Sequence, residues 1–126
     1  MTPPRIYWQS IRPFTLTMSV APPLLGSLLA VMLVPTLSFN WFHFILTVLG
    51  CLIAHAAANT LSDYADFKKR VDRDGTYGSS GVLVAKLIEP AKLLRWSALL
   101  YSLTALIGAY LVWAAPNGLA LLWLIA

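Results

Sequence analysis

Charge is scarce in this chain of 126 residues: Lys, Arg, Asp and Glu together make up 11%, where soluble domains carry about a quarter. A soluble globular class is therefore the first to be set aside. Cysteine is scarcer still. Cys51 stands alone in an apolar stretch, which excludes an intrachain disulfide framework and a cysteine-based metal site, and it reads as packing filler. Acidic residues are missing before Asp63, and no soluble domain, internal repeat or low-complexity tract interrupts the chain. Nor is a cleaved leader expected. Arg5 and Arg12 flank a polar, aromatic-containing stretch, and no short apolar core with a small-residue cleavage site follows it.

What is present is hydrophobic: 59% of residues are apolar and the mean hydropathy is +0.73. A helix needs roughly 20 mostly apolar residues to cross a hydrocarbon core. Three runs without Asp, Glu, Lys or Arg meet that length, from Pro13 to about Pro35, from about Trp41 to Thr60 and from Trp96 to about Ala115. A fourth begins near Asn117 and covers about half of the core before Ala126. The expected fold is all-α, a polytopic transmembrane helix bundle with three full spans and a partial fourth. The chain reads as one domain over residues 1–126 that is the front portion of something larger.

The nine basic residues fall in two places. Arg5 and Arg12 precede the first span, and Lys68, Lys69, Arg70, Arg73, Lys86, Lys92 and Arg95 lie between the second and third. By the positive-inside rule, the N-terminus and the loop of about 61–95 are expected in the cytoplasm, with short external turns at 36–40 and 115–118. The net charge of +4 is then a matter of topology and headgroup attraction, and no nucleic-acid partner is expected. Tyr7, Trp8, Trp41, Trp96 and Trp113 sit near span ends and read as interfacial belt residues. Pro22, Pro23 and Gly26 are expected to kink the first span and admit a neighbour.

Chemistry concentrates where the second span meets the loop. With the helix continued to residue 66, His55, Asn59, Ser62, Asp63 and Asp66 fall within an arc of about 100°. A polar stripe there is costly against lipid, so it is expected to face protein or a wet cavity. Asp72 and Asp74 follow, with Lys68, Lys69, Arg70 and Arg73 among them. Carboxylates supply hard oxygen ligands for Mg²⁺, and cations take phosphate oxygens, which together suit a diphosphate leaving group. A solvated loop whose charges merely pair is the plainer reading. Gly75, Gly78, Ser79, Ser80 and Gly81 then read as either a closing flap or a connector, and Pro90 as the opening of the next helix.

These segments resemble the UbiA superfamily of membrane aromatic prenyltransferases. One similarity lies in Ile11 to Gly26, with Arg12-Pro13, Thr15-Leu16 and Ala21-Pro22 ahead of the glycine. Another is the first aspartate-rich motif, which in the branch acting on 1,4-dihydroxy-2-naphthoate resembles Asn, three residues, Asp, five residues, Asp. Here those places are Ser62, Asp66 and Asp72, with Asp63 as an additional acid. Ser62 stands where the family usually has asparagine, and Asn59 lies one turn earlier. Gly78 to Val84 and Pro90 also resemble the branch, so the similarity covers most of the chain.

The resemblance implies the front part of a nine-helix, Mg²⁺-dependent enzyme of a plasma (inner) membrane. It would move a polyprenyl group from polyprenyl diphosphate to an aromatic acceptor, 1,4-dihydroxy-2-naphthoate, in menaquinone biosynthesis. It implies Asp63, Asp66 and Asp72 as metal ligands and Asn59, Ser62, Lys68 and Arg73 as contacts to the diphosphate. The second aspartate-rich motif of the family is missing from these residues, so the chain alone is expected to be inactive. Another acceptor, or a non-catalytic membrane subunit, are the alternatives.

Overall fold

A computed structural model describes residues 2–34, 36, 38–72 and 78–114. Arg73, Asp74 and Gly75 lie outside the described residues, as does the fourth apolar stretch from Asn117. Every described element is helical: α1 (Pro4–Ser10), α2 (Pro13–Leu16), a 3₁₀ turn (Thr17–Ser19), α3 (Ala21–Leu33), α4 (Trp41–Lys68) and α5 (Pro90–Ala114). Three stretches, Pro13–Leu33, Trp41–Lys68 and Pro90–Ala114, are long and apolar enough to cross a membrane.

Local chemistry sets these boundaries. Asn40 caps α4, its side-chain oxygen accepting from the His43 N–H at 3.1 Å. From there α4 runs 28 residues, about 42 Å at 1.5 Å per residue, so its last turns extend beyond a ~30 Å core. The expected continuation through Asp66 is present, and the Lys69 N–H closes the end on Ala65 and Phe67. Pro90 opens α5, where a missing N–H costs nothing. The first span is broken rather than simply kinked. Pro22 and Pro23 cannot donate to the preceding turn, so the chain passes through a 3₁₀ turn at Thr17–Ser19 and restarts as α3.

The core is an antiparallel pair, α4 against α5, with the N-terminal segment laid over one end. Small residues let the backbones close. Ala56 and Ala57 are buried against Leu100, the Ser97 hydroxyl donates to the Ala57 carbonyl at 3.1 Å, and a Cβ on Gly50 would come within 3.2 Å of Ile107 Cγ2. A second cluster lies at the charged end, where Ile6 of α1 packs with Val82, Leu83, Ile88 and Leu93. The segment between Gly81 and Pro90 is thus packed at Val82, Leu83 and Ile88. Of the aromatic residues read as a belt, Trp8, Trp41 and Trp113 are exposed, whereas Tyr7 and Trp96 pack edge-to-face at 5.2 Å against that cluster. Gly26 meets no neighbour among the described residues.

Candidate diphosphate site

The polar stripe of α4 divides into two sets. His55, Asn59 and Asp63, spaced four apart, meet the N-terminal segment. The Ser19 hydroxyl lies 2.6 Å from His55 Nδ1, and the Asn59 amide donates to the Ile11 carbonyl and the Thr15 hydroxyl, both at 2.9 Å. Asp63 is fully buried and ion-paired with Arg12. It also accepts from the Ser80 hydroxyl and, at 3.3 Å, from the Ser80 N–H. Gln9 adds a bond from its side-chain amide to the Ser80 carbonyl at 3.0 Å. One carboxylate therefore joins three segments distant in sequence: the approach to the first span, the end of α4 and the loop before α5.

Ser62 and Asp66 form the other set. Ser62 is exposed and donates to Asp66 Oδ2 at 3.1 Å, one turn along the helix. Asp72, just past the helix end, accepts from the Ser79 hydroxyl at 2.6 Å, and Ser79 in turn accepts from the Gly81 N–H at 3.2 Å. Gly78 and Gly81 take positive φ, 94° and 72°, to make that turn. Both carboxylates are half-buried, bonded only to hydroxyls, and without an ion-pair partner among the described residues.

Arg12 pairs with Asp63, and the charges of Asp66 and Asp72 also act on it. Burial lowers its pKa from the ordinary arginine value, and the negative charges of Asp72 and Asp66 oppose that shift. A guanidinium remains protonated under working conditions regardless. Its backbone is left-handed, φ 53°, and it precedes Pro13, a place where α-type conformations are disfavoured. Strain of this kind persists only where surrounding contacts fix it, and here Asp63 and the Asn59 bond to Ile11 do so.

Those sequence-predicted residues that the structure describes are thus gathered at one end of the helix pair, but in different states. Among the described residues, Asp66 and Asp72 each accept a single hydroxyl bond. Asp63 is engaged by Arg12 and Ser80, Asn59 by Ile11 and Thr15, and Lys68 is exposed at the last turn of α4. No group of three His, Cys, Asp or Glu side chains able to hold a metal occurs among the described residues. Two hard carboxylates nevertheless fit Mg²⁺, an ion that keeps several waters and is commonly shared between one or two carboxylates and substrate phosphates. Sequence reasoning did not single out Arg12, Ser79 and Ser80 as partners. Their pairings span up to 51 residues and leave no local pattern.

Known proteins decide the family. The chain is 32% identical over 121 residues to the 1,4-dihydroxy-2-naphthoate octaprenyltransferase of Bacillus subtilis (strain 168), covering 96% of this chain and 38% of that protein. It is 32% identical over 113 residues to UbiA prenyltransferase domain-containing protein 1 of Rattus norvegicus, and 31% over 118 residues to its Homo sapiens counterpart. Those matches cover 83% and 87% of this chain and 30% and 31% of the relatives. The chain belongs to the UbiA superfamily. It spans about a third of the length of these UbiA relatives. No family model and no solved structure matches it. As a UbiA-superfamily chain with three apolar spans, it is a multi-pass membrane protein.

Proposed function

We propose that this chain is the diphosphate-binding front portion of a UbiA-type prenyltransferase, with Asp66 and Asp72 as the carboxylates that share Mg²⁺ with a polyprenyl diphosphate. The observation that carries the reading is the division among the acids. Asp63 is engaged by Arg12 and Ser80, while Asp66 and Asp72, which the charge of Arg12 also reaches, accept only from the Ser62 and Ser79 hydroxyls among the described residues.

Bound Mg²⁺ would neutralise charge growing on the leaving diphosphate as the carbon–oxygen bond breaks. The chain's own residues supply the rest. Ser62 and Ser79 orient Asp66 and Asp72 through single hydroxyl bonds. Arg12 adds positive charge, and Lys68, exposed at the last turn of α4, and Arg73 are assigned contacts to phosphate oxygens by their place in the motif. Asn59 acts indirectly by holding Ile11 and Thr15. An electron-rich aromatic ring then takes the prenyl group, in surroundings from which water is excluded. The likeness to the Bacillus subtilis enzyme supports 1,4-dihydroxy-2-naphthoate as acceptor and a place in menaquinone biosynthesis. The distribution of basic residues supports a cytoplasmic N-terminus and 61–95 loop in a plasma (inner) membrane.

The test is transfer of labelled polyprenyl diphosphate by membranes carrying the complete protein, with 1,4-dihydroxy-2-naphthoate, 4-hydroxybenzoate or no acceptor, and with Mg²⁺ or excess chelator. A prenylated naphthoquinol that needs Mg²⁺ is expected, and the 126-residue chain alone is expected to yield none. Product only with hydroxybenzoate would overturn the acceptor, and no product with any acceptor would overturn the enzyme.

A further inference from the structure

A groove of about 740 Å³ runs between α1 and the charged end of α5, away from the carboxylates just described. Two matching stripes wall it. On α5, Lys92, Arg95, Trp96 and Leu99 recur at i, i+3, i+4 and i+7, and on the N-terminal segment Pro4, Tyr7, Trp8 and Ile11 do the same. The α5 stripe changes character along the helix. From Lys92 to Leu99 the helix rises about 10 Å, passing from cations through indole to aliphatic carbon.

We propose that this groove binds one anionic phospholipid from the surrounding bilayer. The order of charge, aromatic ring and apolar side chain along the groove matches phosphate, glycerol ester and acyl chain at the depths they occupy in a leaflet. Arg95 has no ion-pair partner among the described residues. Lys92 is held only by the exposed Glu89, at 3.1 Å, a contact weak enough to exchange for a phosphate. Trp8 is 64% exposed on one wall, while the Tyr7–Trp96 pair fixes the two walls together. None of Asp63, Asp66 and Asp72 lines the groove, so an anion there meets cations without those carboxylates.

The complete protein would be reconstituted in nanodiscs of phosphatidylcholine with a minor share of phosphatidylglycerol, and the lipid it retains on transfer to detergent measured by native mass spectrometry. Phosphatidylglycerol is expected well above its bulk share, with enrichment falling roughly fivefold for each of Lys92→Gln and Arg95→Gln. Arg95→Lys should keep it, which separates loss of charge from loss of fold, and Asp66→Asn should leave it unchanged. Retention at the bulk ratio, or enrichment that survives K92Q/R95Q, would overturn the proposal. So would displacement of the lipid by inorganic diphosphate, which would mark the groove as part of the substrate site instead.

Discussion

At its charged end this chain is cross-linked and dense, whereas its first span is almost bare. Arg12, Asp63, Asn59 and Ser80 tie α1, α2, α4 and the loop before α5 together, over a cluster that buries Ile6, Val82, Leu83, Ile88 and Leu93. In α3, by contrast, no residue is buried, and Leu24, Leu25, Leu28, Leu29, Met32 and Leu33 are all exposed. Polar contacts need defined partners and geometry, so they localise order. An apolar helix surface is satisfied equally by lipid or by another helix. The dense end holds the proposed site, and there the structure concentrates its directional bonds.

The contrast can be broken most severely at the ion pair. Removing one partner, by Arg12→Ala or Asp63→Ala, strands a buried charge and should cost about 3–5 kcal/mol. A lowered unfolding midpoint in mild detergent would register it, and replacing both partners with apolar residues of similar size should cost less than either single change. Next comes the helix seam. Gly50→Leu forces bulk against Ile107, and about 1–3 kcal/mol of destabilisation is expected. Asn59→Ala removes two hydrogen bonds and should cost about 1–2 kcal/mol, with protease cleavage near Ile11 rising in step. On the bare span, Leu29→Ala should stay within about 0.5 kcal/mol of the parent. A large loss there would mean that α3 packs on something the contrast leaves out.

How much of this was legible follows the range of the interactions. The start of α4 near Trp41, its continuation through Asp66 and the opening of α5 at Pro90 depend on neighbours within a few residues, and the pattern carries them; the Asn40 cap was not read. The two prolines pointed to a kink in the first span, not to a break with a 3₁₀ turn at Thr17–Ser19. The helix of Pro4–Ser10 and the burial of Val82 and Ile88 were not read, because an apolar residue in a charged loop has no periodicity to announce what it packs on. At the site, the stripe of His55, Asn59, Ser62, Asp63 and Asp66 was legible as a face. Its division into residues tied to the N-terminal segment and the pair Ser62 and Asp66 was not, because Arg12 and Ser80 reach Asp63 from 51 and 17 residues away.

That division can be tested by comparing Asp63→Asn with Asp66→Asn in the complete protein, reading prenyl transfer and unfolding midpoint on the same preparations. The expected result is a split. Asp66→Asn should lose on the order of a hundredfold in turnover with its midpoint unchanged, and Asp63→Asn should lower the midpoint first, with activity following the folded fraction. Full activity in Asp66→Asn, or an unchanged midpoint in Asp63→Asn, would contradict it.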